Sequence, residues 1–237
     1  MLKEFVEKIV SLAAPSFKVM EDREYSDKPM IPMTEPLADS MLVSTLTGLA
    51  ELARAGINGH VSDDCFLHVE SHIRVTLNES IPNQWGRRQE HISAVLPHDL
   101  KAFAYDRYMG QEAFIIGLMS LFVESADRDA LVRQVSSISG EAVNVSEDDG
   151  ISQTVTVKAG IALRKTETVK NIVTLAPYRT FRDVTQPASQ FVFRVQKSAE
   201  GPMLALFEAD GGQWRLEAMK NIKAWLKTQI PEMTIIA

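Results

Sequence analysis

The stretch FVFRVQKSAEGPMLALFEADGGQWRLEAMKNIKAWLK, residues 191–227, holds two apolar strands followed by a long amphipathic helix. Residues 191–195 alternate in polarity, and residues 203–207 form a second apolar run, as is typical of β-strands. Beyond the turn at 210–212, a helix over 213–227 would carry one apolar stripe formed by Trp214, Ala218, Ile222, Trp225 and Leu226. Groups of strands that alternate with groups of helices favour an α+β fold over a regular βαβ series.

The same patterns predict the other elements outward from this stretch. Helices are expected over 2–13, 44–55, 111–122 and 125–138. Ser44 and Ser125 are the expected N-caps of the second and fourth helices, and Gly56 would close the second. Strands are expected over 90–96, 142–146, 152–158, 172–176 and 233–236, and a hairpin is expected over 17–25. Residues 65–78 would form one strand or a pair of strands. We therefore predict short helices on antiparallel sheet, a β-rich second half and a C-terminal amphipathic helix.

The chain is predicted to divide near residue 40. Residues 1–40 would hold a helix, a hairpin and a connector that contains Pro29, Pro32 and Pro36. Residues 41–237 would form the main α+β domain, with a further sub-boundary near 140 left open.

Composition excludes several classes of protein. Apolar residues make up 45% of the 237 positions, which is too many for a disordered chain, and no apolar run approaches the roughly 20 residues of a spanning helix. Cys65 is the single cysteine, so no intrachain disulfide can form. Glu4 and Glu7 interrupt what would be the apolar core of a signal peptide. These observations predict a cytoplasmic protein without a membrane partner.

Charge is unevenly spread along the chain. Residues 1–150 carry a net charge of −11 and residues 151–237 carry +5. Such asymmetry is expected for a protein that binds an anionic ligand at the basic end, or whose copies contact one another head to tail. An unevenly charged, fully solvated surface is the alternative.

The most basic stretch, 158–197, has a net charge of +6 and interleaved aromatic residues. Basic and aromatic side chains on strands bind single-stranded nucleic acid or a nucleotide through phosphate attraction and base stacking. The same features suit an interface with the acidic half of another subunit, or a core in which Phe191 and Phe193 point inward and Arg194 outward. The candidate ligand-binding residues are Lys158, Arg164, Lys165, Tyr178, Arg179, Phe181, Arg182 and Arg194.

No catalytic, metal or cofactor motif is recognisable in the sequence. A composite metal site would need His68, His72 and His91 to be gathered by the fold with Asp63 or Asp64, because a strand holds His68 and His72 too far apart to share an ion. Cys65, in the apolar run CFLHV, is typical of a small buried residue rather than a nucleophile. We therefore predict no catalytic residue, no bound metal and no cofactor.

Three stretches resemble phage and prophage proteins that have no established activity. They are VSTLTGLAELARAG (43–56), VTLAPYRTFRDVTQPASQFVFRV (173–195) and ALFEADGGQWRLEAMKNIKAWL (205–226). The first is also similar, more loosely, to the prophage proteins of the YfdQ type. The resemblance implies a phage-derived, intracellular protein with an accessory role in phage DNA metabolism, in evading a host defence, or in assembly.

Taken together, the sequence predicts a non-enzymatic accessory protein, encoded by a phage or prophage. It is expected to form a homo-oligomer and to bind an anionic ligand, a nucleic acid or nucleotide, or a host protein. A shell-forming structural protein and a metal-dependent hydrolase are the alternatives.

Overall fold

The computed structural model describes residues 2–13, 15–20, 23–27, 37–56, 64–83, 86–138, 145–148, 153–159, 163–169, 171–199 and 201–237. Within these residues the backbone forms two compact units, Met1–Leu37 and Ala38–Ala237. The helices of the described part are α1 (Leu2–Ala13), α2 (Leu46–Ala55), α3 (Gln111–Leu121), α4 (Ala126–Ser137) and α5 (Gln213–Gln229). Its strands are β1 (Phe17–Met20), β2 (Arg23–Ser26), β3 (Met41–Val43), β4 (Cys65–Ser71), β5 (Arg74–Glu79), β6 (Glu90–Val95), β7 (Met109–Gly110), β8 (Val145–Asp148), β9 (Gln153–Ala159), β10 (Leu163–Val169), β11 (Ile172–Leu175), β12 (Ser189–Ser198), β13 (Gly201–Glu208) and β14 (Thr234–Ile236).

The first unit contains α1 and an antiparallel hairpin of β1 and β2. The predicted helix and hairpin are therefore confirmed. Asp27 closes the base of the hairpin, because its carboxylate accepts hydrogen bonds of 2.8 Å from both the backbone N–H and the hydroxyl of Ser16. Most of the predicted proline-rich connector lies outside the described residues.

The second unit contains a five-stranded sheet in the order β14-β4-β5-β6-β3. Helices α2 and α5 pack on it and cover a core that includes Leu46, Leu67, Val75, Ile222 and Leu226. The central strands are antiparallel, but the edge strands β3 and β14 pair in parallel with β6 and β4. The apolar stripe predicted for α5 is confirmed, since its members are buried except for the partly buried Trp225.

A four-stranded antiparallel sheet, β11-β12-β13-β7, is a second sheet of this unit. Helices α3 and α4 pack on it over a second core, rich in phenylalanine. Alternation along β12 buries Phe191, Phe193 and Val195, while Arg194 is half-buried. The inward orientation of Phe191 and Phe193, one of the three interpretations of this stretch, is confirmed.

A separate three-stranded antiparallel sheet has the order β10-β9-β8. Strands β8 and β9 pair as the predicted hairpin requires, while the turn at 149–150 and the predicted sub-boundary near 140 lie outside the described residues. Strand β10 had no counterpart among the predicted elements. The α+β class, with helices on mostly antiparallel sheet and a C-terminal amphipathic helix, is confirmed.

One predicted cap is wrong by a single residue. Helix α2 begins after Thr45, whose hydroxyl accepts a 3.1 Å bond from the N–H of Gly48, so Thr45 rather than Ser44 is the N-cap. A distant carboxylate also caps this helix, since Asp183 accepts bonds from the N–H groups of Leu46 and Thr47 at 3.3 and 3.0 Å. In the described part of the chain, no helix is long and apolar enough to cross a membrane.

Candidate functional site

The segment between β11 and β12 holds half of the predicted ligand-binding residues, and one buried amide organises it. The side-chain oxygen of Gln186 accepts bonds from the N–H groups of Arg179 (3.0 Å) and Thr180 (3.2 Å). Its amino group donates to the carbonyls of Phe181 (2.9 Å) and Val184 (3.2 Å). A buried amide with all these bonds satisfied fixes the irregular backbone of this segment. Gln186 therefore holds the backbone from which the Arg179 and Phe181 side chains extend.

Arg179 is enclosed by aromatic rings. Its guanidinium carbon lies 3.9 Å from the centre of the Trp214 ring, 5.6 Å from that of Phe191 and 5.8 Å from that of Tyr105. The guanidinium also donates to Glu208 and to the hydroxyl of Ser189. Burial lowers the pKa of Arg179, and Tyr105 and Glu208 oppose that shift. Because Glu208 neutralises this cation inside the protein, Arg179 is a poor surface site for an anion.

The turn between β4 and β5 contributes a histidine to the same group. The ring of His72 meets Trp214 edge-on, with 4.7 Å between the ring centres, and the guanidinium of Arg215 lies 4.9 Å from the Trp214 ring. Thr180 donates a hydrogen bond to the carbonyl of His72, which ties the turn to the loop. We call Arg179, Trp214, Tyr105, Glu208 and His72 the Arg179 cluster.

Several donors of the Arg179 cluster are buried without a hydrogen-bond acceptor. Tyr105 Oη, Arg179 Nε and Trp214 Nε1 have no partner among the described residues. Burial raises the pKa of Tyr105, so its hydroxyl keeps its proton throughout the physiological range. A cleft of about 510 Å³ lies beside the cluster, and its walls include Ser189, Gln190, Asp210, Gln213, Trp214 and Glu217. Two carboxylates in this wall disfavour an anion in the cleft.

The other predicted residues of this loop have different environments. Phe181 is fully buried in the core beneath α2 and α5, so the prediction that its ring stacks on a ligand is wrong. Arg182 is exposed and its guanidinium carbon lies 3.5 Å from the centre of the Tyr178 ring. This exposed stack is the part of the loop that could still meet a base and a phosphate.

Three further predicted cations belong to β9 and β10, whereas Arg194 lies on β12 and is half-buried. Arg164 is paired directly opposite Lys158, and Lys165 is opposite Val157. Because successive strand residues alternate between faces, the Arg164–Lys158 pair shares its face with two further cross-strand pairs. These are Thr166–Thr156 and Thr168–Thr154. The result is one strand face whose paired positions are all basic or threonine, which we call the Lys158–Arg164 face.

The residues of the hypothetical metal site that the structure describes do not come together. Among the described residues, no three His, Cys, Asp or Glu side chains are placed to hold an ion, and Asp63 lies outside them. His91 is instead buried, with Nε2 3.7 Å from the Glu79 carboxylate. Burial, with Glu79 and Asp64, raises the pKa of Cys65, which favours the unreactive thiol.

Sequence patterns did not reveal the Arg179 cluster. Trp214 was assigned to the apolar stripe of α5, and nothing in the local pattern around Tyr105 or Glu208 indicates a partnership with Arg179. A lone Tyr in an irregular stretch gives no periodic signal. The cluster arises from four segments that only tertiary packing brings together.

No family model, no curated protein and no solved structure matches this chain. The resemblance to phage and prophage proteins therefore stays a prediction.

The stability of the Arg179 cluster is expected to depend on pH through His72. Burial, Arg215 and Arg179 lower the pKa of His72 from 6.5, so the unfolded state binds a proton more readily than the folded state. The contribution of neutral His72 to the free energy of unfolding is then fully present above pH 6.5. It is lost as pH falls through the lower pKa of His72 in the folded state. Urea denaturation between pH 7.5 and 5 should show this loss, and H72Q should reduce it.

The matched control for this experiment is H98Q, which removes an exposed histidine. The loss of stability on acidification that is assigned to His72 should persist in this variant. An H72Q protein that loses as much stability as the wild type on acidification would contradict the assignment.

Proposed function

We propose that this chain is a phage- or prophage-encoded, cytoplasmic accessory protein that self-associates and binds nucleic acid through the Lys158–Arg164 face. The observation that carries the proposal is the register that puts Arg164 directly opposite Lys158. Like charges in directly opposite positions repel and destabilise a strand pair. A phosphate backbone bound over the face neutralises both cations and removes that repulsion. The opposed pair of Lys158 and Arg164 is therefore more favourable with nucleic acid bound than without it.

The threonine pairs support a polymer rather than a single small anion. They extend the face from the cationic pair along both strands, and threonine hydroxyls donate hydrogen bonds to phosphate oxygens. Seven residues of strand rise about 23 Å. That length matches several consecutive nucleotides, whereas a lone phosphate needs only one end of the face.

The Arg179 cluster plays a structural part in this proposal. Its cation is paired with Glu208, and the neighbouring cleft carries Asp210 and Glu217. The Arg182–Tyr178 stack is the second candidate contact, because it presents an exposed cation on an aromatic ring.

Fluorescence anisotropy with a labelled single-stranded 30-mer of DNA, titrated at several KCl concentrations, tests the proposal. The wild type should bind at low salt, with log K falling linearly against log salt. K158A/R164A removes two phosphate contacts, so the slope should become shallower by about 1.4. Binding should also weaken at every salt concentration.

The control variant is K220A/K223A, which removes the same charge from exposed positions on α5. Its slope should equal that of the wild type. Absence of wild-type binding at 20 mM KCl, or an equal change of slope in both double variants, would refute a specific Lys158–Arg164 face.

A further inference from the structure

The four-stranded sheet β11-β12-β13-β7 has a second face, opposite the one on which α3 and α4 pack. The core face includes Phe193 of β12 and Leu206 of β13, which are paired directly opposite each other. Because successive strand residues point to opposite faces, the residues on either side of these two belong to the second face. They include Val192, Arg194 and Phe207.

An apolar row crosses this second face. Ile172 is paired opposite Val192, and Val192 is paired opposite Phe207. The ring of Tyr108, which directly precedes β7, meets that of Phe207 edge-on, with 6.1 Å between the ring centres. Ile172 is 48% exposed and Tyr108 is 40% exposed, while Val192 and Phe207 are partly buried. We call Ile172, Val192, Phe207 and Tyr108 the Phe207 row.

The charge of the second face favours an anion. Every second residue of 172–174, 190–198 and 203–207 lies on this face, and these described strand positions hold one cation, Arg194, and no carboxylate. A phosphate group beside the Phe207 row therefore meets attraction without repulsion. The same face of a second copy would bring another arginine and no carboxylate, so that pairing has no charge complementarity.

The chemistry of the Phe207 row fits unpaired bases. Every base has a π-face that stacks on an aromatic ring, and an arginine near the ring attracts the backbone phosphates. The bases of a duplex stay stacked on one another, so an unpaired strand is the form that offers its bases to a protein ring. Phe207 and Tyr108 are the rings that present this surface, and Arg194 is the adjacent cation.

We propose that the Phe207 row is a base-stacking site and that the nucleic acid bound by this protein is single-stranded. This inference rests on the nucleic-acid binding of the proposed function and names the class of polymer. The Lys158–Arg164 face attracts the phosphates, and the Phe207 row stacks on the bases. Because stacking releases no counterions, it adds affinity that salt does not remove.

Anisotropy of the full chain with the same single-stranded 30-mer tests the Phe207 row. F207L keeps an apolar side chain opposite Val192 but removes the ring. The Kd should therefore rise about tenfold at every KCl concentration, while the slope of log K against log salt stays that of the wild type. F207Y restores a ring and should bind as the wild type does. Circular dichroism and a thermal melt establish that each variant is folded.

Two controls show whether the effect belongs to this site and to an unpaired strand. F66L makes the same change at a partly buried phenylalanine of the five-stranded sheet and should leave the Kd unchanged. A duplex of the same length should bind F207L and the wild type equally. Equal weakening in F66L and F207L would overturn the Phe207 row, and equal weakening of duplex and single-strand binding by F207L would overturn the single-stranded assignment.

The remaining outcomes separate this inference from the proposed function. If F207L binds as tightly as the wild type while K158A/R164A still makes the slope shallower, the Phe207 row is overturned and the proposed function stands. Absence of wild-type binding to either nucleic acid at 20 mM KCl overturns both. If sedimentation shows that F207L dissociates a wild-type oligomer without weakening nucleic-acid binding, the occupant of the face is a second copy, and the base-stacking site is overturned.

Photocrosslinking of the wild type tests the site without any substitution. A single strand that carries 5-iodouracil, irradiated in the complex, forms bonds with aromatic side chains that stack on its bases. Mass spectrometry of the linked peptides should locate the bond at Phe207 or Tyr108. Linkage confined to other residues, such as Tyr178, or no linkage in a complex that anisotropy shows to be saturated, would overturn the base-stacking site.

Discussion

Replacing Arg179 by alanine is expected to lower the free energy of unfolding of the Ala38–Ala237 unit by about 3 kcal/mol, because it breaks a largely buried ion pair. The substitution leaves Glu208 without its counter-charge and Ser189 without its donor. It also removes the cation that stacks on Trp214 at 3.9 Å. In a thermal melt the midpoint should fall by about 6–12 °C for a unit of this size.

Two further variants distinguish the contributions to this loss. R179K keeps a charge near Glu208 but lacks the planar group that stacks on Trp214 and donates to two partners, so it should recover only part of the stability. R182A removes an exposed arginine of the same loop, whose stack on Tyr178 is worth about 0.5–1 kcal/mol. Equal losses in R179A and R182A would show that the Arg179 cluster does not stabilise the fold.

The contrast between Arg179 and Arg182 shows which side-chain contacts cannot be predicted from the sequence. Both are arginines beside aromatic residues in one short basic loop, and sequence reasoning assigned them the same role. The difference lies in Trp214 and Tyr105, which reach Arg179 from distant segments. Charge count and local alternation contain no information on such contacts.

Periodic elements were predictable for the opposite reason. The α5 stripe and the alternation of Phe191 and Phe193 follow from local geometry that every helix or strand shares. The parallel edge strands β3 and β14 depend on pairing with residues far along the chain, and a short apolar run does not specify its partner. Ser44 and Thr45 are both good N-caps, so chemistry alone could not decide between them.

The second large effect is expected at Gly117 in α3. A Cβ atom there would lie 2.8 Å from Cε2 and 3.0 Å from Cδ2 of Phe103. That ring is held edge-on or tilted by Phe114, Phe122 and Tyr105, with centres 5.1–5.7 Å away, so it has little room to move. Overpacking costs about 1–3 kcal/mol. This cost outweighs the roughly 1 kcal/mol by which alanine is more favourable than glycine inside a helix.

G117A should therefore lower the unfolding free energy by about 1 kcal/mol, and G117V, which adds two more methyl groups, by about 3 kcal/mol. A113G measures the helix-propensity term alone, because Ala113 is exposed on the same helix, and it should cost about 1 kcal/mol. The decisive comparison is G117A in an F103L background, where the clashing ring atoms are gone. There the substitution should become stabilising, and a destabilising effect of equal size in both backgrounds would contradict the packing argument.

The Gly117 site and the Arg179 cluster are expected to be coupled through Tyr105, whose ring lies 5.3 Å from that of Phe103 and 5.8 Å from the Arg179 guanidinium carbon. Displacement of the Phe103 ring by G117V should therefore also weaken the Arg179 cluster. The losses of unfolding free energy from G117V and R179A should then be less than additive.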